Sequence, residues 1–147
     1  MVLKEENYRE VIESYTLEDW EPLFELIPEI EKTKEFGEIV GGRDENNVFQ
    51  MPMWVKGDVI NKFTDIIYKM PIVINFNWGK WEEGRKIAKD KSFDYDSIDI
   101  PTKCKLITAI VRNDRFCDGV LVSAFESGFI LTILKSIERQ VKQSSKV

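Results

Sequence analysis

Ile130, Ile133, Leu134, Ile137 and Val141 recur at three- and four-residue intervals through the last segment of the chain. That spacing sets side chains on one face of an α-helix, and no strand period fits it. A stripe this regular has to be covered by other elements, so it commits the chain to packed helices. Cys104, Ile107, Val111 and Arg115 repeat the pattern one segment earlier. Between the two, Gly119 marks a bend, Val120 to Glu126 reads as a short helix, and Gly128 reads as a left-handed helix end.

Upstream, Tyr8, Val11, Ile12 and Tyr15 predict an amphipathic helix over residues 3–15. Thr16 or Asp19 caps the next helix, which buries Trp20, Leu23, Phe24 and Ile27. Pro22 falls in its first turn if Asp19 is the cap, and Pro28 breaks or restarts it. Residues 36–51 read as a small β-hairpin, with turn chemistry from Gly41 to Asn47 between two β-prone runs. Pro52 to Val55 leads into a helix from about Asp58, lined by Val59, Phe63, Ile66, Ile67 and Met70 and stopped by Pro71. Ile72 to Trp78 is an extended apolar run, and Gly79 to Arg85 opens a helix to about Ala88. A polar loop follows, then Asp99 caps a helix with Pro101 in its first turn. The expected fold is mainly α (α+β at most): one globular domain over residues 1–142 with the one small hairpin, and a frayed tail over 143–147.

The stretch Ala109 to Gly119 sets Arg112, Asp114, Arg115 and Asp118 among apolar residues. Burying a charge costs several kcal/mol unless it is paired and hydrogen-bonded. Two readings follow. In the first, these side chains and Glu126 form a buried Arg–Asp network in which arginine forks clamp the acids and the carbonyls at the Gly119 bend. In the second, Arg112 and Arg115 receive a small anion of phosphate or nucleotide type. Asp114, Asp118 and Glu126 as a set of oxygen ligands is the weaker idea, because the arginines would already satisfy them; no metal and no cofactor is expected. Trp78 and Trp81, three residues apart near a helix start, place one ring inward and one across the surface. The glycines at 37–42 lack the Gly-Lys-Ser/Thr ending of a phosphate loop and read as a turn.

Composition narrows the chemistry. The 147 residues include no histidine, which removes Ser-His-Asp and Cys-His catalysis and zinc sites of the Cys/His type. Cys104 and Cys117 read as reduced, buried thiols. The net charge of −5 is uneven: residues 1–100 carry 13 basic and 22 acidic side chains, and residues 101–147 carry 8 and 4. Overall acidity argues against nucleic acid as a partner, and Val120 to Gly128 offers no Lys or Arg for a recognition helix. No apolar run approaches the roughly 20 residues of a membrane span, and the N-terminus lacks a basic-then-apolar leader, so a cytoplasmic address and no membrane are expected.

Two blocks carry a family resemblance. Phe76-Asn-Trp-Gly-Lys-Trp81 is similar to a Phe-Asp-Trp-x-x-Trp element, with Asn77 in place of the acid. Leu106 to Gly119, followed by Ala124-Phe-Glu-Ser-Gly128 and Ile133-Leu134, is similar to a Leu-Thr-Ala-x-x-Arg-x-Asp-Arg-Phe-x-Glu-Gly block, with Asp118 where Glu is usual. Over about residues 50–140 the chain thus resembles the bacterial and archaeal domain-of-unknown-function family 6508. The resemblance implies a stand-alone cytoplasmic domain and implies no activity. The functional expectation is a non-catalytic binding or interaction domain, as a homodimer or with a protein partner, through an aromatic patch near Trp54, Trp78 and Trp81. The alternative is an enzyme or sensor for an anion at Arg112 and Arg115.

Overall fold

The computed structural model describes residues 2–145. Its elements are β1 (Leu3–Lys4), α1 (Tyr8–Glu13), α2 (Leu17–Phe24), α3 (Leu26–Lys32), β2 (Gly37–Arg43), β3 (Phe49–Lys56), α4 (Asp58–Lys69), β4 (Ile74–Asn75), α5 (Glu82–Lys89), α6 (Ile100–Asn113), α7 (Val120–Glu126) and α8 (Phe129–Ser145). Short 3-10 turns sit at Trp78–Lys80 and Tyr95–Ser97. The protein is mainly α with a minor β component.

The stripe on α8 becomes the centre of the core. Ile130, Ile133, Leu134 and Ile137 have no exposed surface, and α8 packs against α2, α3, α6 and α7. Aromatic side chains fill the space around it. Phe125 on α7 lies 5.2 Å from Phe63 edge to face and 5.5 Å from Phe36, and Trp20 stacks on Phe24 at 5.9 Å.

Several boundaries differ from the sequence expectation. The first helix is not 3–15. Leu3 and Lys4 leave it to pair in parallel with Ile74 and Asn75, Leu3 donating its N–H to the Val73 carbonyl at 2.8 Å. That pairing buries Leu3 and satisfies backbone groups that a frayed helix end would leave to water. Thr16, not Asp19, is the cap of α2. Its hydroxyl accepts from the Asp19 N–H while the Asp19 carboxylate accepts from the Thr16 N–H at 2.8 Å, a reciprocal capping box. Pro22 therefore falls in the body of α2, and α3 restarts at Leu26 with Pro28 in its first turn, where no helical N–H partner is needed.

The hairpin is longer than residues 36–51. β3 runs on to Lys56, so Pro52 to Val55 is strand rather than a lead-in to α4. Ile39 stands opposite Trp54 and Val40 opposite Met53. A bulge between Val40 and Gly42 absorbs the proline, with Gly41 at φ +103°. Asp99 caps α6 by accepting from the Thr102 N–H at 3.0 Å, and the bend at Gly119 has φ +91°. α8 remains helical through Ser145, so the part of the expected frayed tail at 143–145 is helix; residues 146–147 lie outside the described residues. No single helix is long and apolar enough to cross a membrane. α7 and α8 reach that length only together, across a 65° bend.

Candidate functional site

α6 ends at Asn113, and this decides where the charged block goes. The helical spacing that put Arg115 beside Ile107 and Val111 stops one turn too early. Arg115, Asp118 and Glu126 are exposed, while Arg112 and Asp114 are half-buried. Among the described residues neither guanidinium has an acid or carbonyl partner, so the Arg–Asp network expected from the sequence does not form. The acids are held by other groups. The Asp114 carboxylate pairs with Lys56 Nζ at 2.9 Å, its side chain only 9% exposed, and accepts the Leu121 N–H at 3.0 Å. It thereby ties β3 to α6 and caps the open first turn of α7. Asp118 Oδ2 accepts the Trp54 N–H at 2.8 Å. Glu126, at the far end of α7, joins neither. Asp114, Asp118 and Glu126 do not gather as a metal-ligating set among the described residues.

These contacts fasten the base of the β2–β3 hairpin to the α6–α7 corner. Trp54 lies across Gly119, where an added Cβ would sit 2.5 Å from its ring. Beyond this base the hairpin is bare. Ile39, Val40, Val48, Phe49, Met51, Met53 and Val55 are all exposed, Met51 at 79%. By register, Val40, Met53 and Val55 share one face, and Ile39 and Phe49 lie on the other, so both faces of the arm are apolar. No signal in the helical periodicity could have announced this. The alternation of apolar residues from Phe49 to Val55 was legible, but it normally marks a half-buried strand.

The two other tryptophans separate. Trp81 meets Phe76 edge to face at 5.6 Å and lies flat over Gly84, whose missing side chain leaves room for the ring. Lys105 Nζ stands 4.6 Å from the ring centres of both Phe76 and Trp81, close enough for cation–π attraction. Burial holds the Lys105 ammonium below its usual pKa. Trp78 instead reaches Phe116, which is 77% exposed, at 6.0 Å. Trp78, Trp81, Arg85, Leu106, Asn113 and Phe129 line a small cavity of about 170 Å³. Arg85 is engaged there by the Gly79 carbonyl. Through Ala88, Ile110 and Phe129 the cavity adjoins a wider hollow of about 720 Å³ near Phe93 and Tyr95.

One polar cluster lies outside the residues that the sequence singles out. Lys103 on α6 has no exposed surface. Its ammonium donates to Ser136 Oγ at 2.6 Å and to Gln140 Oε1 at 2.7 Å. Ser136, also enclosed, donates to Asp96, which Arg139 holds at 3.0 Å from the outside. The Arg139 and Ser136 hydrogen bonds keep the Asp96 carboxyl below the usual range, and burial lowers the Lys103 pKa to about 8. A signal existed: Lys103 lies four residues before Ile107, on the buried stripe. A serine beside an amine of lowered pKa is a nucleophile arrangement in principle. Here both groups are sealed from solvent by α6 and α8, and the cluster pins the 95–98 turn to the helices through Gln140, which donates to the Ile98 carbonyl at 3.1 Å. Of the two cysteines, Cys104 is buried, and burial pushes its thiol pKa up. Cys117 is exposed, contrary to the expectation of two buried thiols, because the helix that would have carried it inward ends at Asn113.

No curated protein and no solved structure gives a match to this chain. A family model does, over residues 15–143, and those residues include the α6–α7 corner, the hairpin and the tryptophan cluster described above. The chain belongs to that family of unknown function, DUF6508.

Proposed function

We propose that the protein is a non-catalytic cytoplasmic interaction domain whose contact surface is the β2–β3 arm, continued by Phe116 and Trp78. The observation that carries this reading is the arm itself. Six large apolar side chains stand in water on two strands, with Val48 in the turn between them, and the base of the arm is held by Asp114 and Asp118. Contiguous apolar surface of this extent marks an interaction site, and a two-stranded ribbon is marginal in water by itself. The Lys103–Ser136 pair is enclosed by α6 and α8, which favours a structural role for it. Two free thiols suit a reducing compartment. The test is a photo-crosslinking amino acid placed at Met51 or, as a control, at Glu18 on α2, in cells that produce the protein. Discrete adducts at Met51 and none at Glu18 are expected. Equal, diffuse labelling at both positions would reject the reading.

A second reading is favoured by the unpartnered guanidinium groups. Arg112, half-buried, and Arg115 have no acid to neutralise them among the described residues, which leaves their forks open to a small anion. A thermal-shift screen with inorganic phosphate, nucleotides and phosphorylated metabolites should then raise Tm, and Arg112→Ala should abolish the rise.

A further inference from the structure

We infer that the occupant of the arm is the arm of a second copy of this chain, the two hairpins packing against each other about a two-fold axis. The inference rests on the reading of β2–β3 as a contact surface and adds the partner. Three observations converge on it.

The first concerns the strand edges. At the free edge of β3 the Trp54 N–H is already taken by Asp118, and Pro52 has no N–H to offer. On β2 the bulge between Val40 and Gly42, with Gly41 at φ +103° and Gly42 at φ +92°, breaks the straight run of backbone groups. Prolines, capped amides and bulges are how sheet edges are closed to further strands. The backbone left open at the edges is short, the Ile39 N–H and carbonyl among it, so the larger free surface of the arm is side chain.

The second is area. The exposures of Ile39, Val40, Val48, Phe49, Met51, Met53 and Val55 run from 37% to 79%. With roughly 150–200 Å² for each large side chain, the arm offers on the order of 600–800 Å² of accessible surface. A stable interface removes about 800 Å² from each partner. Those side chains are divided between the two faces of the arm, so one face meeting its copy supplies up to about half of that requirement, the size of a weak, concentration-dependent contact, and Met51 and Met53 are unbranched side chains that adapt to the neighbour they meet.

The third is charge. The chain carries −5 overall, and two copies repel over most of their surfaces. The strand residues 37–43 and 49–56 carry only Glu38, Arg43 and Lys56, and Lys56 is spent on Asp114. The turn between the strands adds Asp44 and Glu45, so the near-neutral part of the arm is its two strands, and it is along these that copies can approach. A self-complementary apolar patch is what an isologous contact requires.

The experiment is sedimentation velocity on the purified full chain over a wide concentration range, beside Met51→Glu/Met53→Glu and, separately, Phe49→Ser. Both variants lie at exposed positions, and circular dichroism and melting check that each remains folded. The expected result is a concentration-dependent dimer of the 17.2 kDa chain that weakens about tenfold or more in the folded variants. A wild-type chain that stays monomeric throughout overturns the inference, as does a dimer that both folded variants leave intact. If the chain is monomeric while Met51 crosslinks a different protein in cells, self-association fails and the contact-surface reading stands. If neither occurs, both fall.

Discussion

Lys103 shows how a single residue can set the pH behaviour of a fold. Its ammonium is enclosed with two neutral acceptors, Ser136 Oγ and Gln140 Oε1, and the nearest acid acts through the serine. Desolvation dominates and brings its pKa to about 8, against an ordinary 10.5. The unfolded chain then holds a proton on this amine up to about pH 10 while the folded chain gives it up from about pH 8. Between those values the unfolded state binds more protons, so stability rises with pH and is lost again as pH falls through 8. At 1.36 kcal/mol per pKa unit the gain is on the order of 3 kcal/mol. Other groups titrate in the same range, so the measurement is a difference: denaturant unfolding of wild type and Lys103→Met at neutral pH and near pH 10. At neutral pH the two should be close, because replacing a buried cation by an apolar side chain of similar shape is often neutral or stabilising. Near pH 10 the wild type should have gained on the variant. Parallel pH profiles would show that Lys103 is hydrated and titrates normally. A second test at this scale is Gly119→Ala. The substitution forces a side chain into φ +91° and against Trp54, and should cost about 3 kcal/mol or more in melting experiments.

At the scale of elements, the helices were legible and the attachment of the hairpin was not. The α8 stripe, the Asp99 cap with Pro101, and the Gly119 and Gly128 turns follow from local chemistry, and each stands where its residues put it. The charged block illustrates the opposite case. Physical reasoning rightly required partners for Asp114 and Asp118, but the periodicity assigned them Arg112 and Arg115 by extending α6 past Asn113. The real partners, Lys56 and the Trp54 N–H, lie on a strand some sixty residues earlier. No local spacing encodes a contact of that separation. In the sequence Pro52 to Val55 reads as a lead-in to α4, and only the bulge that accommodates Pro52 makes the longer β3 permissible. The structural assignment predicts what removal of these tethers does. Asp114→Ala strands a half-buried Lys56 and uncaps the Leu121 N–H, and should lower stability by about 2–3 kcal/mol. Asp118→Ala should cost less, about 1 kcal/mol, but should raise amide exchange at Trp54 and its strand neighbours while leaving α8 protected. Uniform loss of protection across both would mean that hairpin and helices open as one unit.

Across the whole molecule, the uneven charge of the sequence turns out to be a pairing device. The basic excess beyond residue 100 faces the acidic excess before it. Lys135 meets Glu31 at 3.2 Å and Arg139 meets Asp96 at 3.0 Å across that divide, whereas the Arg9–Asp99 pair at 2.5 Å joins two residues before it. Lys142 is paired along its own helix with Glu138 at 3.3 Å. These are exposed pairs, each contributing little to stability. Their larger consequence is to cancel the field along α8. Without them Lys135, Arg139 and Lys142 would form a basic stripe, the footprint of a nucleic-acid surface. The domain should therefore show no saturable binding to duplex DNA in fluorescence anisotropy at low ionic strength. The masking argument has its own test in Glu31→Gln/Glu138→Gln, which removes the acids that Lys135 and Lys142 meet without touching the core. The variant should gain weak binding that disappears steeply with added salt, because each contact between a lysine and a phosphate releases a counterion. Binding by the wild-type chain at the same strength would show that the acids do not screen α8, and the small basic excess of its last third would then have to be read as a surface for polyanions.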